Sequence, residues 1–195
     1  MIEIRLHGRG GQGAVTAAEI LAIVAFESGK YSQSFPAFGV ERRGAPVESY
    51  VRIADKPINL RSQIYEPDIV IVLDPSLLKE EFIFKGLKKG GLIVANTSSG
   101  FKKAGYKSIS IDATSLANEV LGRPITNTAM LGAFAAASDL ISLKALTNSL
   151  GRAFGSKSVQ LPSCGAEEPE MLKGAILEKN KVLVKKAYEV ANDSK

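Results

Sequence analysis

The opening stretch "IEIRLHGRGGQGAVTAAEILA" limits the possible folds more than any other part of the chain. "IEIRLHG" alternates apolar and polar positions as a strand does, and "AVTAAEILAIVAFESG" has the alanine and leucine content of a helix, with Gly29 as its C-terminal stop. Between them Gly8, Gly10 and Gly13 fall at G-x-G-x-x-G spacing, with Gly11 in addition. A strand, a glycine turn and a helix in that order form the first unit of a layered α/β domain with a Rossmann-like turn. Glycines at these positions let backbone approach a ligand or a neighbouring helix, and the helix N-terminus offers N–H groups to an anion.

The remaining segments extend this pattern. "YSQSFPAFG" begins as a strand and breaks at Pro36. "VESYVRIA" alternates, with Val47, Ser49, Val51 and Ile53 on one side, and suits an antiparallel pairing. "PDIVIVLD" is a continuous apolar run, as in a strand buried on both faces of a parallel sheet. A helix through "SLLKEEFIFKGLKKGG", a strand at "LIVANT" and another at "YKSISIDAT" follow, with Asp74 and Asp112 as helix caps at strand ends. "SLANEVLG", "TAMLGAFAAASDL" and "SLKALTNSLGRAFG" read as helices, and a final helix is expected from about Glu168 to Ala191. Strands alternating with helices give α/β class: a three-layer α/β/α sandwich on a mostly parallel, mixed sheet. At 195 residues, one domain over 1–195 is expected.

Composition excludes several functions. The single cysteine, Cys164, cannot form an internal disulfide, and one copy of the chain cannot supply an iron–sulfur cluster or a cysteine-rich zinc site. No apolar run is long enough to span a bilayer, and the chain opens directly on a strand without a secretory signal, so a cytoplasmic protein with no membrane partner is expected. The net charge of +5 comes from scattered lysines rather than a basic motif interleaved with aromatics, which argues against nucleic acid. His7 is the only histidine and no serine or cysteine is spaced to form a triad with it, so no catalytic residue is assigned. A dinucleotide site would want a carboxylate near the end of the second strand. "KYSQSFPAF" has none, and the first acid afterwards is Glu41.

The loop "FPAFGVERRGAPVESYVRI" sets the adjacent Arg42 and Arg43 between glycines and prolines, a constrained basic element suited to carboxylates or phosphates. Together "GRGGQGAVTAAEILA" and "FPAFGVERRGAPVESYVRI" closely resemble the gamma subunit of the 2-oxoacid:ferredoxin oxidoreductases. "PDIVIVLD", "GLKKGGLIVANT" and "ITNTAMLGAFAA" are similar to the same family in the same order, over nearly the whole chain. The resemblance implies a share in the oxidative decarboxylation of a 2-oxo acid to an acyl-coenzyme A with reduction of ferredoxin, and the "FGVERRGAPV" form resembles the pyruvate and branched-chain members. It also implies alpha, beta and cluster-bearing delta partner subunits. Thiamine diphosphate, iron–sulfur clusters and coenzyme A would act in the assembled complex, none of them bound by this chain alone. The chain has no thiamine diphosphate motif and no cluster ligands. The glycine turn is therefore read as close packing at the sheet edge facing the crevice, and Gly8, Arg9, Gly10, Gly11, Gly13, Arg42 and Arg43 are expected near coenzyme A or a partner subunit. The alternative left open is a stand-alone nucleotide-binding oxidoreductase domain.

Overall fold

The computed structural model describes residues 1–37, 44–155 and 170–194. Strand β1 (Ile2–Arg9) leads through the glycine turn into helix α1 (Ala14–Glu27), followed by β2 (Tyr31–Pro36), β3 (Pro46–Ala54) and β4 (Ile69–Val72). Then come β5 (Leu92–Asn96), β6 (Lys107–Ile111) and the helices α2 (Ala113–Leu121), α3 (Asn127–Ala137), α4 (Leu143–Gly155) and α5 (Glu170–Asp193). Helix α5 thus continues two positions beyond the expected end at Ala191.

The strands form one sheet in the order β2-β3-β1-β4-β5-β6. β1, β4, β5 and β6 run parallel, while β3 is antiparallel to both β1 and β2. This is the mixed, mostly parallel α/β architecture that the sequence implies. Ser49, Val51 and Ile53 pair with Leu6, Ile4 and Ile2, so the side of β3 picked out by its alternation continues the apolar face of β1. Ile4, Leu6, Val51, Ile71 and Val94 meet residues of all five helices in one core.

The opposite face is built differently. Val70, Val72, Ile93 and Ala95 are covered by Leu77, Ile83, Phe84 and Leu87. These belong to two 3-10 turns, Pro75–Lys79 and Glu81–Phe84, and the loop after them, in place of the helix expected through "SLLKEEFIFKGLKKGG". The apolar run Phe82-Ile83-Phe84 lacks helical spacing, and extended backbone at Glu80 and Lys85 interrupts the path. Gly86 follows at φ 78°, where a Cβ would come within 2.0 Å of the Tyr65 carbonyl oxygen. The crossovers from β4 to β5 and from β5 to β6 therefore carry no α-helix, and among the described residues this outer layer has none. Over β1 and β3 it consists of the irregular segment 55–68, which Arg52 holds by donating to the Ser62 and Gln63 carbonyls at 2.8 and 3.3 Å.

At one edge, β2 presents "YSQSFP", which carries no charge. Ser32 Oγ ties it to α1 through the Ala22 carbonyl at 2.7 Å.

Candidate functional site

The glycine turn lies at the carboxyl ends of β1 and β4, where the chain's connections leave in opposite directions along the sheet. Gly11 and Gly13 take φ 97° and 80°, the left-handed region that glycine enters without steric cost. Gly13 is the N-cap of α1, and a Cβ there would lie 2.7 Å from Asn127 Nδ2, the first residue of α3. At Gly8 a Cβ would press on Ala14 and Gln12, both at 3.3 Å. The turn thus brings the starts of α1 and α3 together.

Its side chains are tied to the end of β4. Gln12 Nε2 donates to Asp74 Oδ2 at 2.5 Å, while Gln12 Oε1 accepts from the Arg9 backbone N–H at 2.8 Å. Arg9 donates to Ser76 Oγ from Nε at 3.2 Å and from Nη2 at 2.8 Å, with its Nε 3.6 Å from Asp74. Asp74 caps the first 3-10 turn through Ser76 N at 2.8 Å, and Asp112 caps α2 through Ser115 N at 2.9 Å, so both cap readings hold. Burial alone would raise the Asp74 carboxyl, but hydrogen bonds from Ser76 and Gln12 and the Arg9 charge outweigh it and hold it below its ordinary value. An ionised carboxylate therefore sits beside the glycine turn, where a dinucleotide fold would bring a pyrophosphate.

Topology opposes a dinucleotide as well. In such folds the second strand lies beside the first and carries the ribose-binding acid to it. Here β3 lies between β1 and β2. The end of β2 at Pro36 is two strands away and bears no carboxylate.

The structure places Gly8, Arg9, Gly10, Gly11 and Gly13 in this one turn, whereas Arg42 and Arg43 lie outside the described residues. The flanks of their segment are described, and they meet the turn. Gly10 N donates to the Ala45 carbonyl at 2.9 Å, Gly44 N to the Gly10 carbonyl at 3.3 Å, and Arg9 Nη1 to the Gly44 carbonyl at 3.0 Å. The two motifs that are separate in sequence thus share one end of the sheet.

Sequence reasoning missed Gln12, Ser76, Thr126 and Asn127 as members of this region. The only signal for the last two was their place in "ITNTAMLGAFAA", where nothing marks their distant partner. Thr126 Oγ1, and Asn96 Oδ1 at the end of β5, are buried oxygens without a hydrogen-bond partner among the described residues. Buried polar atoms of this kind suit a polar group brought in from outside.

His7 takes no part in the turn. It is 1% exposed; its Nε2 accepts from Arg5 Nε at 2.9 Å, and its Nδ1 lies 3.6 Å from Glu48 Oε1. Burial, helped by the Arg5 charge, lowers its pKa to about 3 and keeps the ring neutral. Arg5 also donates to the Ile83 and Lys85 carbonyls at 2.9 and 2.8 Å. The histidine is part of a buried structural network, as a lone strand histidine usually is.

Among the described residues no group of three or more His, Cys, Asp or Glu could hold a metal ion. The unpartnered Asn96 Oδ1 can only accept and Thr126 Oγ1 can donate or accept, so they suit a ligand's hydroxyl or N–H, while Arg9 is already held by Ser76 and the Gly44 carbonyl. The arrangement can bind and orient; it holds no nucleophile paired with a base.

The pyruvate synthase subunit PorC of Methanothermobacter thermautotrophicus is 53% identical over 177 residues, covering 89% of this chain and 98% of the relative. The pyruvate/ketoisovalerate oxidoreductases common subunit gamma of Thermococcus kodakarensis is 53% identical over 175 residues, covering 86% and 95%. The crystal structure of pyruvate oxidoreductase subunit PORC from Thermotoga maritima superposes with a TM-score of 0.76 at 33% identity, covering 96% of this chain and 95% of that one. The family model for pyruvate ferredoxin/flavodoxin oxidoreductase matches residues 3–164, a span that takes in the glycine turn, the arginine loop and every strand, and the chain belongs to that family.

Proposed function

We propose that the chain is the gamma subunit of a multi-subunit pyruvate or branched-chain 2-oxoacid:ferredoxin oxidoreductase, with pyruvate as the preferred substrate. The complex converts a 2-oxo acid to an acyl-coenzyme A and reduces ferredoxin. The observation that carries this reading is identity above half over nearly the whole of two relatives named as such subunits. The chain's partners are the alpha, beta and cluster-bearing delta subunits, and through them ferredoxin. It works as a single domain over 1–195 in the cytoplasm. No helix among the described residues is long and apolar enough to cross a membrane.

Within the complex, coenzyme A supplies the thiol that accepts the acyl group. This chain's part is to bind and position a portion of that cofactor or of a partner subunit through the turn Gly8, Arg9, Gly10, Gly11 and Gly13 and through Arg42 and Arg43, with any anionic portion falling to Arg42 and Arg43 because the Asp74 carboxylate lies beside the turn. Guanidinium groups provide planar, paired donors for phosphates and carboxylates.

The test is reconstitution. The purified chain is expected to show no 2-oxoacid-dependent dye reduction, and adding the alpha, beta and delta subunits restores it. Turnover by the lone, cofactor-free chain would falsify the proposal. In the same assay, replacing Arg42 and Arg43 by alanine should weaken assembly or raise the KM for coenzyme A while leaving the KM for the 2-oxo acid alone. Unchanged assembly and kinetics would make the pair solvated surface.

A further inference from the structure

The face of the sheet without α-helices has a feature that the glycine turn does not explain. Glu48 on β3 projects there beside His7, its partner in the β1–β3 register. Tyr50 Oη donates to Glu48 Oε2 at 2.8 Å, and His7 Nδ1 lies 3.6 Å from Glu48 Oε1. The carboxylate is thus held in one position, yet its side chain stays 30% exposed.

Two large exposed rings belong to the residues around its neighbours His7 and Tyr50. Phe82, 43% exposed, meets the His7 ring edge-on with centroids 6.3 Å apart. Tyr65, 71% exposed, has its backbone carbonyl against Gly86 and is near enough to Tyr50 to add to the upward push that burial and Glu48 exert on the Tyr50 hydroxyl. His7 is neutral, so it does not cancel the Glu48 charge. Arg5 spends its hydrogen bonds inside the protein, on His7 and on the Ile83 and Lys85 carbonyls.

An oriented carboxylate with exposed aromatic rings in its neighbourhood complements one kind of group. A guanidinium or ammonium can pair with the carboxylate while its face or edge lies on the rings, and each contact strengthens as water leaves. A bare carboxylate sealed under an apolar partner surface would be costly instead. Leu60, 46% exposed on the segment 55–68 that covers the same face, adds apolar surface to the neighbourhood.

We infer that the face around Glu48, Tyr65 and Phe82 is a docking seat for an arginine or lysine side chain of another subunit in the assembled complex. The inference rests on the subunit reading above, but it concerns Glu48 and its neighbours rather than the glycines of the turn and asks nothing of coenzyme A.

The experiment follows dissociation of this subunit from the assembled complex on dilution, read by native mass spectrometry. Unmodified protein is compared with Glu48→Gln, Tyr65→Ala and Phe82→Ala. Glu48→Gln keeps an acceptor for Tyr50, and Tyr65 is too exposed for its loss to unfold the chain. Each change should raise the dissociation midpoint by about tenfold or more. Glu48→Gln should also flatten its dependence on salt. Midpoints matching the unmodified complex for Glu48→Gln and Tyr65→Ala would overturn the seat while leaving the subunit reading intact. If unmodified chain never joins the other subunits, both ideas fail together. A cation from this chain's own Arg42 or Arg43 would show as non-additivity between Glu48→Gln and the arginine pair replaced by alanine, and that too would overturn a partner's cation.

Discussion

Gly13 is where one residue's backbone decides how two helices meet. Its φ of 80° is costly for a residue with a Cβ, and that Cβ would press within 2.7 Å of Asn127 Nδ2. Asn127 is 6% exposed and its Oδ1 is engaged by the Thr128 N–H at 2.8 Å, so it has little room to retreat. Gly13→Ala should destabilise the chain by about 1–3 kcal/mol. Adding Asn127→Ala should recover the steric part and leave the dihedral part, which paired urea denaturation curves can separate. A different single-residue effect comes from His7. Its folded pKa of about 3 lies below the ~6.5 of an unfolded histidine, so between these values the unfolded chain takes up the proton. The stability from this site is complete above the unfolded value and falls as pH drops through the window, by about 1.4 kcal/mol per pH unit. On going from pH 7.5 to 5, His7→Gln should lose about 2 kcal/mol less than the unmodified protein. Equal losses would place the histidine in a solvated setting.

At the scale of elements, α3 and α5 are in contact through Gly132. Alanine in a helix interior usually gains about 1 kcal/mol over glycine. Here an added Cβ would stand 2.4 Å from the Val184 carbonyl oxygen and 3.1 Å from Ala187 Cβ, both on α5, and a carbonyl of an intact helix cannot turn aside. Overpacking should win, so Gly132→Ala is expected to lower stability by about 1–3 kcal/mol despite its better propensity. A rise in melting temperature would show that the helices can separate. The elements also show what was legible beforehand. "IVIV" reads as a buried parallel strand because both faces are apolar, and Gly29 reads as a stop because it takes φ 81° at the end of α1. The 3-10 turns at 75–84 were only partly legible: the missing helical spacing of Phe82-Ile83-Phe84 could be read, but the approach of Gly86 to the Tyr65 carbonyl just after them is a contact between separate segments. Arg5, Glu48 and Arg52 occupy alternate positions that look like a solvent face. Arg52 is nonetheless 1% exposed, because a segment with no periodicity of its own folds over it. In the candidate site the turn and its glycines could be read locally. Its neighbours Asp74, Thr126 and Asn127 arrive from β4 and α3, and only the fold brings them there.

Over the whole molecule, helices gather on one face of the sheet and irregular segments on the other, and the two faces serve different ends. The helical side holds the main apolar core, while the opposite side keeps polar groups in which Arg5, His7 and Arg52 are buried and Glu3 and Glu48 stay partly exposed. Such a face is costly to leave half covered, and a complex can complete the cover. The sheet's β2 edge has a further consequence. Its residues from Tyr31 to Pro36 carry no lysine or glutamate to repel an incoming strand, and exposed Phe26 and Tyr31 stand close by in sequence. A neutral edge is a template for aggregation unless something protects it. Chain made in excess of its partners is thus expected to precipitate rather than wait in solution, so a cell needs matched synthesis of the subunits, or a chaperone, to keep this one usable.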